Sequence, residues 1–167
     1  MDGDKEAFIA FDTAKLKNAI AVADGGRAGE VRYIGEIANR PEAVRNLVAK
    51  LEGKYDTLQF CYEAGPTGYG LYRQLIGLGH ICIVAAPSLI PQRPGDRVKT
   101  NRRDAVTLAK LLRAGELTPV WVPDLVHEAV RDLVRARDAA VGDLRRKRQL
   151  ISAFLLGHGR IYPGKSS

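Results

Sequence analysis

Two carboxylates stand where a carboxylate is costly to place, and a third could join them. Asp12 closes the apolar run AFIAFD at 7–12, and Glu63 directly follows the apolar run TLQFCY at 57–62. Both runs have the length and composition of buried strands, so each acid sits where a strand emerges from the core. Asp104 lies in the first turn of a segment with helical apolar spacing. Asn101 precedes it by one turn, which points both side chains the same way. Acids at the ends of buried strands suffer desolvation and mutual repulsion, and a divalent cation relieves both. Mg²⁺ (or Mn²⁺) held by two or three carboxylates together with substrate phosphate oxygens is the usual arrangement for phosphodiester chemistry. A plainer role also exists for Asp104, since an acid in a first helical turn complements the helix dipole.

That chemistry needs cations to hold the phosphates. The stretch Arg93–Arg113, RPGDRVKTNRRDAVTLAKLLR, carries seven basic residues against two acidic ones. Its front half, RPGDRVKTN, reads as a loop. From Asn101 the pattern is helical, with Ala105, Leu108, Ala109, Leu111 and Leu112 on one side and Thr100 or Asn101 as the N-cap. Arg97, Lys99, Arg102 and Arg103 are the candidate phosphate ligands. The net charge of +7 is uneven: residues 1–92 hold 10 Lys/Arg and 11 Asp/Glu, whereas 93–167 hold 16 and 8. A neutral half joined to a basic half points to a polyanionic partner, with nucleic acid first and a merely soluble basic surface as the alternative.

Other chemistries find little support. Cys61 and Cys82 sit inside apolar runs and read as buried free thiols, and neither they nor His80, His127 and His158 show ligand spacing. No apolar run approaches the ~20 residues of a membrane span. The opening MDGDKEAF lacks a signal-peptide core, so the expected location is cytoplasmic, with no membrane partner.

The elements that position the acids follow from periodicity. Strands are expected at 7–12, 18–23 and 31–38, joined by short turns as an antiparallel meander. Asn39 and Glu42 have capping-box spacing, and Val44, Leu47, Val48 and Leu51 form the core face of the helix they open. A fourth strand at 57–62 delivers Glu63. The loop AGPTGYG then opens a helix with Leu71, Tyr72, Leu75 and Ile76 as core residues, and a fifth strand at 81–86 returns by a parallel crossover. Tyr69 and Tyr72 are expected to pack on the sheet rather than stack on bases. This is an α/β chain with the element order of a ribonuclease H-like fold, a mixed five-stranded sheet with flanking helices. After the extended connector ELTPVWVPD, with Trp121 as an anchor, Asp124 caps a proline-free segment running to Leu156. Its apolar residues recur at helical spacing, and its other faces carry Arg145, Arg146, Lys147 and Arg148. Such a helical arm can pair with another subunit, contact phosphates, or pack on its own domain. The expected division is 1–115 metal-binding domain, 116–123 connector, 124–157 helical arm and 158–167 the start of a truncated region.

Four segments carry a resemblance that covers nearly the whole chain: AFIAFDTAKLKNAIAV, YEAGPTGYGLYRQL, PGDRVKTNRRDAVTLAKLLRAGELTPVWVPD and HGRIYPGK. Together they resemble the insertion-sequence-110 family of transposases, with YEAGPTGYG and KTNRRDA the most specific parts. The resemblance implies an N-terminal domain similar to the Holliday-junction resolvase RuvC, with an Asp-Glu-Asp-Asp metal site. Asp12 matches the first acid, Glu63 the second and Asp104 the fourth; the third position is Asn101, whose carbonyl can ligate Mg²⁺ but adds no charge. It also implies DNA partners (insertion-sequence ends and target) and, in some members, a structured RNA, while the apolar spacing of the helical arm points to a homo-oligomer. Family members continue into a domain with a nucleophilic serine, a role that Ser166 and Ser167 do not match. A rival reading is a non-catalytic RNA- or DNA-binding and assembly module with a decayed metal site. A sugar-kinase or actin-like ATPase is a distant third, since no second nucleotide-binding half is visible.

Overall fold

The computed structural model describes residues 5–26, 28–91 and 100–164, and the chain divides into two compact units, Met1–Val122 and Pro123–Ser167. In the first unit β1 (Glu6–Thr13), β2 (Lys17–Asp24) and β3 (Val31–Ala38) form the meander. β4 (Thr57–Glu63) and β5 (Ile81–Ala85) then add in parallel beside β1, giving the order β3-β2-β1-β4-β5. Helix α1 (Pro41–Glu52) links β3 to β4, α2 (Gly70–Gly77) links β4 to β5, and α3 (Asn101–Ala114) follows. This is the mixed sheet of the ribonuclease H-like class.

Strand alternation divides the core in two. Ile9 and Phe11 of β1 join Ile20, Val22, Phe60 and Tyr62 beneath α1 and α2, which contribute Val44, Leu47, Val48, Leu51 and Leu75. Phe8 and Ala10 face the other way, with Ala19, Ala21, Cys61 and Ala85, against Ala105, Leu108, Ala109 and Leu112 of α3. That second layer is built largely of alanine, so helix and sheet backbones can approach closely. Arg113 fixes the far end of α3 by donating to the backbone oxygens of Asp24 (3.1 Å) and Gly29 (2.6 Å).

Both sheet edges are managed. Residues of the connector run along β5, where the Val120 N–H donates to the Val84 carbonyl (2.8 Å) and Ala86 N–H to Thr118 (2.9 Å). On the β3 edge a register shift opposite Ile20 and Ala21 coincides with Gly35 at φ 113°, a conformation open to glycine, and the resulting bulge twists the edge.

Two local expectations are corrected. The residue before α1 is Arg40, which makes no side-chain cap, so the Asn39–Glu42 capping box does not form. The Asn39 side chain turns instead to the β1–β2 turn, donating to the Ala14 carbonyl (2.9 Å) and accepting from Asn18 (3.2 Å). Ile76 is 44% exposed and not a core residue. An eight-residue helix turns only Leu75 fully onto the sheet, and Ile76 lies about 100° further round. At α3 the N-cap is Thr100, whose hydroxyl accepts from the Arg103 N–H (3.3 Å).

Asn18 is the buried polar side chain among the described residues, with no exposed surface. It accepts from the Ala14 N–H (3.3 Å) while donating to Asn39. Asn18→Ala strands both partners, so a loss of about 1–3 kcal/mol is expected in urea unfolding. An unchanged midpoint would show that the turn holds without this brace.

The second unit contains α4 (Leu125–Gly157), a helix of 33 residues and roughly 50 Å at 1.5 Å per residue. Asp124 caps it by accepting from the His127 N–H (2.8 Å), and the helix runs unbroken through Gly142. None of its residues is buried. Val126, Val130, Leu133, Leu144, Ile151 and Phe154 recur in a four-three pattern along one stripe, with Arg137 and Lys147 interrupting it.

Candidate metal centre

Phe11 pairs with Tyr62 across the parallel β1–β4 ladder, and Asp12 and Glu63 are the next residue on each strand. Alternation turns both toward the face that α3 covers. Glu63 is exposed at the strand end, while Asp12 is half-buried. α3 enters over the same edge, and Asp104, one residue before the fully buried Ala105, is partly buried in its first turn. Asn101, the first residue of α3, is exposed.

The three acids act on one another electrostatically. Burial pushes the Asp12 carboxyl from an ordinary 3.8 up to about 6, and the negative charges of Asp104 and Glu63 push in the same direction. Three elements distant in sequence thus bring electrostatically interacting acids to the C-terminal ends of the parallel strands β1 and β4. All the donors, the Asn101 amide included, are oxygens, the set a hard divalent cation takes. Among the described residues no three His, Cys, Asp or Glu side chains are gathered tightly enough to enclose an ion unaided. Mg²⁺ sites built from one or two carboxylates plus substrate phosphates do not require a closed protein cage.

The edge is braced by groups that sequence patterning did not single out. The Thr13 and Thr67 hydroxyls lie 3.0 Å apart, joining the β1 end to the loop after Glu63. The Tyr62 hydroxyl, its pKa raised chiefly by burial, donates to the Gly68 carbonyl (3.0 Å) and holds the same loop. Asn18 and Asn39 tie the turn that follows Asp12. A polar residue opening an otherwise apolar strand, KNAIAVAD, was the available signal for Asn18.

The basic residues are placed unevenly. Arg102 and Arg103 are exposed on the first turn of α3, and the Arg102 guanidinium lies 5.4 Å from the centre of the Tyr33 ring. Arg97 and Lys99 lie outside the described residues. Arg145, Arg146, Lys147 and Arg148 are exposed on α4, with Arg146 paired to Asp143. The two thiols are inert, since burial raises both pKa values, that of Cys82 to about 12.

Comparison with known sequences decides the family. The family model for DEDD transposases of the insertion-sequence-110 type, described as "Transposase", matches residues 9–159. The chain belongs to this transposase family. It is 65% identical over 163 residues to a putative transposase, y4qE, of Sinorhizobium fredii (strain NBRC 101917 / NGR234), covering 98% of the chain and 42% of that relative. It is 36% identical over 153 residues to the transposase for insertion sequence element IS1533 of Leptospira borgpetersenii, covering 91% of the chain and 44% of the relative. This transposase chain therefore spans less than half the length of either. Membership of a DEDD transposase family suggests divalent-metal dependence, in keeping with the oxygen-only donor set. No helix among the described residues is long and apolar enough to cross a membrane.

Proposed function

We propose that residues 1–115 are the metal-binding recombination domain of a DNA transposase, joined through 116–123 to a helical arm at 124–157. The observation that carries this reading is the placement of Asp12 and Glu63 at the ends of the neighbouring strands β1 and β4, on the face covered by α3, whose first turn carries Asp104. Asp12, Glu63 and Asp104 hold Mg²⁺ or Mn²⁺, with the Asn101 carbonyl as an uncharged fourth donor. The bound cation supplies polarisation of a phosphodiester for cleavage and strand transfer. Arg97, Lys99, Arg102 and Arg103 neutralise backbone phosphates beside the acids, and Arg145, Arg146, Lys147 and Arg148 extend that contact along the arm. The apolar stripe of α4 pairs with a second copy. The DNA partners are insertion-sequence ends and target, and a structured RNA suits the same basic surfaces. Strand transfer also needs a serine nucleophile, the group that the family resemblance implies.

Replacing Asn101 by Asp supplies the missing charge. A Mn²⁺ titration followed by electron paramagnetic resonance is expected to show saturable binding by the wild type. Asn101→Asp should tighten it about tenfold or more, the equivalent of about 1.4 kcal/mol. Equal affinity in the two proteins would remove Asn101 from the site. The rival reading, a binding module with a decayed site, is favoured by the same neutral residue. It predicts nucleic-acid binding that needs no metal and survives Asp12→Ala unchanged.

A further inference from the structure

On the opposite face of the sheet from Asp12, the next residue of β1 opens into a second concavity. This cleft, of about 320 Å³, lies between the starts of α1 and α2, and its polar lining is Thr13, Asn39, Arg40, Arg45, Thr67 and Gln74. No acid lines it. The Asn39 and Gln74 amides are engaged with protein, Gln74 donating to the Pro41 carbonyl (2.7 Å). The Arg40 and Arg45 guanidinium groups are exposed, and neither makes an ion pair or hydrogen bond among the described residues. α2 begins without a side-chain cap and with no acid in its first turn, so its first N–H groups add positive potential, whereas α1 starts at Pro41, which has no N–H, and carries Glu42 in its first turn. Two unpaired guanidinium groups, two hydroxyls and no carboxylate make a cleft that selects for phosphate.

We infer that this cleft binds a backbone phosphate of the nucleic-acid strand, with Arg40 and Arg45 as its ligands and the Thr13–Thr67 hydroxyl pair as its wall. The inference rests on the reading of Asp12 as part of the metal site. Asp12 and Thr13 are consecutive on β1 and face opposite sides of the sheet edge. A strand presents a phosphate at every nucleotide, so one crossing that edge with a phosphate at the carboxylates carries a neighbouring phosphate into the cleft. The cleft thereby fixes the register of the strand along the edge, through residues outside both basic runs.

The test is binding of the full chain to a single-stranded oligonucleotide in EDTA, across a salt series. Wild type, Arg40→Ala/Arg45→Ala and Arg40→Lys/Arg45→Lys are compared. Each phosphate neutralised on a single strand contributes about 0.7 to the slope of log K against log salt, so the alanine pair should flatten it by about 0.7–1.4. The lysine pair should restore it. A slope in the alanine pair equal to the wild type's overturns the inference. Mn²⁺ binding separates the two readings: its absence from the wild type defeats the metal site, whereas a flattened slope would still establish the cleft.

Discussion

Ala109→Leu is expected to destabilise the first unit by about 3 kcal/mol, the upper end of the usual cost of overpacking a filled core. It should weaken Mn²⁺ binding as well. Ala105 and Ala109 of α3 have no exposed surface, and they face a sheet layer that contains Ala10, Ala19, Ala21, Ala23 and Ala85, all 2% exposed or less. Small residues on both sides bring the helix backbone close to the strands, and interiors at crystal-like density have no room for three added carbons. The helix must lift or the sheet deform. Either response moves Asp104, one residue before Ala105, relative to Asp12. A substitution buried among alanines thus reaches the carboxylates without touching them. Urea unfolding and Mn²⁺ titration of the same protein provide the check, with Lys110→Ala on the exposed face as a control expected within about 0.5 kcal/mol of wild type. Ala109→Leu with unchanged stability and unchanged affinity would show that α3 does not set the carboxylate spacing.

The same alanines explain what was legible in the sequence. β1, β2 and β4 announce themselves as short apolar runs, and the observed strands differ from the expected ones by a residue at most at each end. β3 alternates as a strand with one face open to water should. Pairing was also readable, because short turns impose antiparallel neighbours and a helix between strands imposes a parallel one. The capping box failed because Asn39 had two possible tasks. A side-chain amide can cap its own helix or bond a nearer backbone, and the orphaned groups around Ala14 and Asn18 won it. Periodicity brought Asp12 and Glu63 to strand ends, but their shared face depends on the Phe11–Tyr62 register, which no local pattern contains. The Arg40–Arg45 cleft was illegible for the same reason, since Thr13 and Thr67 meet only in the fold.

Asp12→Asn should make the metal-free protein more stable at neutral pH while abolishing its response to cations. The Asp12 carboxyl has a folded-state pKa of about 6 against an ordinary 3.8, through burial first and the charges of Asp104 and Glu63 second. The folded chain therefore binds the proton more tightly than the unfolded chain. Below pH 3.8 both states are protonated and the advantage of the folded state is complete. It is lost as pH rises through about 6, where ionisation must occur against burial and two like charges. At about 1.36 kcal/mol per pKa unit the shift corresponds to about 3 kcal/mol, and solvent screening of this half-exposed group reduces it to about 1–2 kcal/mol. Wild type without metal should lose that much stability between about pH 4 and pH 6.5, over and above other groups, and Asp12→Asn should remove this component. Adding Mn²⁺ at pH 7.5 reverses the order: stabilisation by RT ln(1 + [L]/Kd) returns about 2.7 kcal/mol to the wild type at a hundredfold excess over Kd, and nothing to the variant. Unfolding curves of both proteins from about pH 4 to pH 7.5, with and without Mn²⁺, provide the check. If Asp12→Asn is destabilising without metal, the carboxylates do not repel as the fold implies. If cations stabilise the variant as strongly as the wild type, Asp12 is not a ligand.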